Sequence, residues 1–277
     1  MATGYVTPTS IDALIPETWR KDIVLELYDR MVMRDLVNVI TVPPGTDTVH
    51  FPAISKLTAE QITPGTPLEG KYNTESAITL SIDKYYGVPM TISEKALIQV
   101  QQNISLGDIY KQRMAEALAY KMDQDLLGLY SGLSQSVDLS SGDITKAGIL
   151  EARRLLNKAG APQSNRYLVI SPEQEEAMLS ISDFVDASKY GDNAPIRDGF
   201  IGKVFGFEVF VTDAVITAST RKNLAFHRDF ALLGIQQEVK ITSAWMPMKD
   251  GYDMVAKVLY GVTEMRDDFG VVIVTKD

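Results

Sequence analysis

The sequence predicts an α+β protein: one long amphipathic helical stretch near residues 105–130, a helix–strand alternation after it, and a closing quarter that reads as strands. A further feature breaks that pattern. Residues 55–76 (SKLTAEQITPGTPLEGKYNTES) join two strand-like pieces with two prolines, two glycines and scarcely any large apolar side chain. Such a connection has nothing of its own to bury, so it is expected to project from the body and take its order from another molecule.

Residues 1–15 are small and polar. Pro16 then sits where a first helical residue would, and Trp19, Ile23, Val24, Leu27 and Met31 follow at helical spacing, predicting a helix over Pro16–Met33 that is stopped by Val42-Pro43-Pro44-Gly45. Strands are expected over Thr48–Ile54 and over Ala77–Val88, where Ile78, Leu80 and Ile82 alternate with Thr79, Ser81 and Asp83. Ser93–Gln102 reads as a short helix. Ser105 and Asp108 resemble a capping pair for the longest one, whose apolar face runs Leu106, Ile109, Met114, Ala117, Leu118, Met122, Leu126, Leu129.

Ser131–Gly142 reads as a polar loop, and Ile144–Ala159 as a helix ended by Gly160 and Pro162. Arg166–Ile170 is a strand, and Ser171-Pro172 opens another helix with proline at its first position. Asp183–Gly199 is a loop and Val204–Thr212 a strand. Leu224–Ile235, Glu238–Trp245, Met254–Arg266 and Val271–Val274 are read as strands, with a turn at Pro247–Gly251.

A chain of 277 residues is long enough for two domains, or one elongated unit with a satellite. With 45% hydrophobic and 23% charged residues and no low-complexity tract, disorder is not expected. The absence of cysteine excludes disulfides, thiolate nucleophiles and zinc ribbons. No basic-then-apolar leader opens the sequence and no apolar run is long enough to cross a bilayer, so neither secretion nor membrane insertion is expected. A formal charge of −9 argues against a broad basic surface for nucleic acid.

Catalytic chemistry finds no footing. Gly65-Thr66-Pro67-Leu68-Glu69-Gly70-Lys71 has the spacing of a phosphate-binding loop, but Tyr72 stands where a Ser or Thr hydroxyl is needed, and neither a strand before it nor a helix after it is expected. His50 and His227 are read as strand-surface histidines, the Asp123/Asp125 pair as a solvated helix face, and Glu173, Glu175 and Glu176 as first-turn carboxylates favoured by the helix dipole. No catalytic residue, cofactor site or metal site is therefore expected, and the chain is not read as an enzyme. An α+β hydrolase or nucleotide binder remains the rival from another class.

The order of parts, together with the words Arg166-Tyr167-Leu168-Val169-Ile170-Ser171-Pro172-Glu173-Gln174, Ile201-Gly202-Lys203-Val204-Phe205-Gly206-Phe207-Glu208-Val209 and the closing Tyr260-Gly261-Val262 and Arg266-Asp267-Asp268, resembles the Hong Kong 97-type fold. That is the fold of tailed-phage major capsid proteins, shared with encapsulin compartments. The resemblance implies an N-terminal arm (1–46), an extended E-loop hairpin (47–88), a peripheral domain with the long spine helix (89–142), an axial domain (143–235), and peripheral-domain strands with the C-terminus (236–277). It implies a coat protein that self-assembles into hexamers and pentamers of an icosahedral head around double-stranded DNA, with an encapsulin-like compartment as the alternative.

The implied partners are further copies of the chain, a separate scaffolding protein, a portal, and packaged DNA held without sequence-specific binding; no membrane is implied. The implied location is the virion, assembled in the cytoplasm of a bacterial host. Candidate contacts between copies are Leu57, Ile62, Leu68, Lys71 and Tyr72 on the E-loop, Trp19 on the arm, Tyr190 on the axial loop, and Met246 and Met248 at a turn meeting its equivalents at the local threefold. Covalent cross-linking in the family joins an E-loop lysine to an asparagine at that turn. Lys56 and Lys71 are available, but Thr242–Asp253 holds no asparagine, so no cross-link is expected.

Overall fold

The computed structural model describes residues 32–54, 59, 61, 75–95, 106–181, 202–217 and 219–277. The helix expected over Pro16–Met33 up to its last two residues, most of that over Ser93–Gln102 and the loop Asp183–Gly199 lie outside these residues. The described chain begins with one helical turn, α1 (Met33–Leu36), leading into β1 (Asn38–Thr41). Both elements are too short for periodicity to reveal.

β2 (Thr48–Ile54) falls where the sequence places it. The single strand expected over Ala77–Val88 is instead two: β3 (Glu75–Ser81), antiparallel to β2, and β4 (Lys84–Ser93), which belongs to a different sheet. Alternation continues unbroken through both, so period alone hides the change of partner. The long helix is α2 (Leu106–Leu127); Met114, Leu118, Met122 and Leu126, four apart, form its buried stripe.

Within the expected loop Ser131–Gly142 the structure finds β5 (Ser136–Leu139), an edge strand whose one buried side chain, Val137, left no alternation to read. α3 (Lys146–Ala159) is capped by Thr145, whose hydroxyl accepts from the Gly148 N–H, and ends at Gly160 in the left-handed region, φ 80°. β6 (Arg166–Ile170) and α4 (Pro172–Leu179) follow as expected.

The strand expected over Val204–Thr212 is a tight hairpin of β7 (Lys203–Val204) and β8 (Phe207–Val211). Phe205 and Gly206 both have positive φ, 48° and 87°, the backbone a two-residue hairpin turn requires. Phenylalanine is a poor advertisement for such a turn, and the Lys146 ammonium over its ring at 5.9 Å holds it there.

The breaks expected between Leu224–Ile235 and Glu238–Trp245 also move. β9 (Thr220–His227) ends at a 3₁₀ turn, Arg228–Phe230, and β10 (Ala231–Met246) runs on through bulges near Gln237. Phe230 is fully buried, so no polar punctuation marks the turn. β11 (Gly251–Glu264) and β12 (Gly270–Lys276) complete the chain.

The strands form a four-stranded sheet, β1-β10-β11-β4, a six-stranded sheet, β5-β12-β9-β6-β8-β7, and the β2-β3 pair. α2 lies on the first sheet and α3 on the second, and one continuous core links Met114, Leu118 and Tyr260 to Leu168, Phe226 and Ile273. Pro52 and Pro89 sit in β2 and β4 without breaking a ladder. The bonds from Ile82 N–H to Asp47 O (2.8 Å) and from Glu94 N–H to Asp250 O (2.9 Å) set the alternation that turns both proline nitrogens away from their paired strand.

Where the hairpin leaves the body, Gly234 of β10 stands directly opposite Gly261 of β11. A Cβ at Gly234 would run into the Leu80 side chain, and one at Gly261 into the Ser81 carbonyl. The paired glycines are a notch in which β3 crosses the sheet. Leu80 fills it at 0% exposure with Val42 and Leu232, and the Thr263 hydroxyl donates to the Thr79 carbonyl at 3.3 Å. Burying Leu80 there contributes about 2 kcal/mol.

Since backbone cannot yield as a side-chain tip can, Gly261→Ala should cost about 1–3 kcal/mol. Gly87→Ala, whose added carbon would meet Ala256 O at an ordinary 3.5 Å, should be close to neutral. Denaturant midpoints of the two variants check this.

Candidate functional site

Among the described residues no three His, Cys, Asp or Glu side chains gather as a metal site would require. The acidic residues expected on a solvated face of α2 are instead structural pins. Asp123 is 2% exposed, and its carboxylate accepts the N–H groups of Val32 (2.7 Å) and Met33 (3.2 Å) at the start of α1. Burial pushes its carboxyl up to about 6, against the lowering by those two N–H groups.

Asp125 accepts the Tyr260 hydroxyl at 2.9 Å and pairs with Lys121 at 3.0 Å and Lys84 at 3.5 Å. Burial alone would raise its carboxyl, but the Lys121 and Tyr260 hydrogen bonds and the Lys84 charge hold it below the usual range. Tyr260, fully buried, is pushed up by burial and then by the Asp125 charge. These groups fasten α2 to α1, β4 and β11. The spacing of polar residues could not show that the "outer" face of the helix is covered.

His50 is exposed on β2 and lies 3.0 Å from its cross-strand neighbour Thr79 Oγ1. His227 is not at a strand surface: it is 4% exposed, its ring meets Phe269 edge-on at 5.7 Å, and Nδ1 accepts the Asp229 N–H at 3.2 Å. Burial pushes its pKa down despite Asp229, so it caps the turn as a neutral ring. Glu173 stays exposed and pairs with Arg221 at 2.7 Å. The phosphate-loop-like segment Gly65–Lys71 lies outside the described residues.

The exposed apolar chemistry gathers at the far end of the β10–β11 hairpin. Trp245 and Tyr252 are cross-strand partners with ring centroids 5.0 Å apart, and Met246 faces Gly251. Met248, at 99% exposure, is the most exposed large apolar side chain described, and beside it on the hairpin Tyr252, Met246 and Trp245 are 43%, 42% and 39% exposed.

The platform beneath them is braced. Pro247 opens a 3₁₀ turn, Asp250 takes φ 48°, and its carbonyl accepts the Glu94 N–H. Asp253 is gripped by Lys249 Nζ and Thr91 Oγ1, both at 2.6 Å, which hold its carboxyl below the ordinary range. Four apolar side chains held in water on a rigid turn make a pre-organised contact surface.

Of the contact residues expected from sequence, Met246 and Met248 come together at this tip. Leu57, Ile62, Leu68, Lys71, Tyr72, Trp19 and Tyr190 lie outside the described residues. Trp245, Tyr252 and Tyr85 (59% exposed) were missed. The signal for the first two was an aromatic on each side of the Pro247–Gly251 turn.

The family model described as phage capsid protein matches residues 131–277, just over half of the chain. No curated protein sequence matches. Among solved structures, one from Mycobacterium phage Che8 is 21% identical, covers 94% of this chain and 96% of its own, and superposes with a TM-score of 0.77. The capsid structure of cyanophage P-SCSP1u is 15% identical over 100% and 97%, TM-score 0.78. The capsid of a native GTA particle is 11% identical over 100% of both chains, TM-score 0.77. At these identities the structures establish a shared fold.

Asp123 supplies a pH test. Its folded-state carboxyl sits near 6 while an unfolded aspartate titrates lower, so the folded chain takes up the proton first as pH falls. Relative to Asp123→Asn, which cannot titrate, the native chain should gain on the order of 2–3 kcal/mol between about pH 7 and about pH 4, and lose it as pH rises through 6. Paired unfolding curves across that range measure the difference.

Proposed function

The chain belongs to the phage capsid protein family and is a major capsid protein of the Hong Kong 97-type fold, and on that premise we propose that it builds its shell by rigid-body contacts between copies, without chemistry. Its location is the virion, as a subunit of an oligomeric shell. Nothing in the comparisons favours the cargo-compartment alternative.

In this proposal copies gather as hexamers and pentamers of an icosahedral head around double-stranded DNA, in the cytoplasm of a bacterial host, with a separate scaffolding protein and a portal. The arm (1–46) and the E-loop (47–88) reach neighbouring copies. The peripheral region, 89–142 and 236–277, supplies α2, β11 and most of β10, and its four-stranded sheet is completed by β1 from the arm segment and by β4, which begins in the E-loop segment. The axial region is 143–235, and its six-stranded sheet is completed by β5 from the preceding segment and β12 from the closing one.

The observation that carries the proposal is the braced tip: Met248 wholly in water on a turn whose every neighbour is tied down. The turn's backbone, braced in this way, has little ordering entropy left to lose when a second copy covers it, so the cost of binding falls mainly on the Met248 side chain itself. The polar connection after β2 fits the same scheme, since its sequence offers little to bury within its own chain, and strand pairing with a few anchors such as Leu57, Ile62, Leu68 and Tyr72 on an adjacent copy would hold it. Closed symmetry then multiplies modest contacts into a stable wall.

Expressed alone, the chain should yield shells by negative-stain electron microscopy. Removing Thr58–Lys71 should leave a folded protein that forms none, and normal particles from that deletion would refute the E-loop's role. Met248→Glu should melt as the native chain does while assembling only at concentrations about tenfold higher or more.

A further inference from the structure

On the face of the four-stranded sheet turned away from α2, Lys240 of β10 and Lys257 of β11 are directly opposed in register, and both are exposed. Like charges placed opposite each other across two strands destabilise the sheet that carries them. Neither ammonium has an ion-pair partner among the described residues. The carboxylates nearest along their own strands are already committed, Glu238 to Arg34 at 2.7 Å and Asp253 to Lys249 at 2.6 Å.

The surroundings keep the pair accessible. Gly87 is the residue of β4 opposite Lys257, and the Lys257 stem lies over it, with Cγ 3.7 Å from where a glycine Cβ would stand. Tyr85, 59% exposed, flanks the same face opposite Leu259. Two unpaired cations beside an exposed ring and an open stretch of sheet thus form an unpartnered surface on a chain whose formal charge is −9.

We propose that the Lys240–Lys257 pair is an electrostatic seam between copies, receiving carboxylates from a second copy of this chain. Charge complementarity selects that occupant. Each copy brings an excess of nine negative charges, so contacts between copies repel unless cations stand at the seam, and these two are uncompensated among the described residues of their own copy. The inference rests on the shell reading above and adds to it the sheet face that takes part.

The test is Lys240→Glu, which turns the repelling pair into a cross-strand Glu–Lys pair. The isolated variant should melt at or above the native temperature, while its critical concentration for shells should rise about tenfold. Added salt should weaken native assembly and narrow the gap between the two proteins. If native protein forms shells and Lys240→Glu forms them equally well, the seam is overturned and the shell function stands; if native protein forms none, alone or with its scaffolding protein, both fall. A filter-binding assay with a random-sequence DNA duplex supplies the other arm. Salt-sensitive binding by the native chain that Lys240→Glu abolishes, with assembly unchanged, would assign the pair to nucleic acid and overturn the proposal.

Discussion

Two glycines facing each other across β10 and β11 decide how the molecule is built. Without side chains at Gly234 and Gly261 the sheet surface dips by the thickness of a methyl group, and the backbone of β3 passes through the dip with Leu80 locked beneath it. The β2–β3 pair would be marginal in water as an isolated hairpin. Seated in the notch, its root becomes part of the body. Everything the chain can reach is measured from that crossing.

The rest of the body is organised to keep that geometry stiff. α2 is tied on one side to α1 through Asp123 and on the other to β11 and β4 through Asp125, Tyr260 and Lys84. Polar groups inside are thus spent on fixing elements against each other. What remains unspent faces outward: Met248 and its aromatic neighbours on a braced turn, and two lysines whose charges find no partner among the described residues. Stiffness inside and unfilled valences outside are what a subunit needs if its final partners are copies of itself.

Much of this was legible in the residues. Stops and starts marked α3, β6 and α4, because Gly160, Pro162 and Pro172 act locally and need no tertiary context, whereas the Thr145 cap that opens α3 was not read and the helix was placed from Ile144. The long helix showed in its fourfold spacing. The misreadings share one cause: a strand's partner is a long-range choice, so the switch at Ile82-Asp83 and the buried turn at Phe230 left no local mark. Asp123 and His227 were read as surface groups for the same reason, since burial of a polar side chain depends on what other segments lay over it. The Gly234–Gly261 notch was invisible until the register placed one against the other.

Hydrogen exchange on unassembled and assembled protein, residue by residue, is the most direct test of whether the β2–β3 pair is seated in the body before copies meet. The account predicts that amides of Thr48–Ile54 and Glu75–Ser81 are already protected in the unassembled chain, with assembly adding protection mainly at 55–74 and at the Trp245–Tyr252 tip. Unprotected β2 and β3 in the free chain, becoming slow only in the shell, would contradict it.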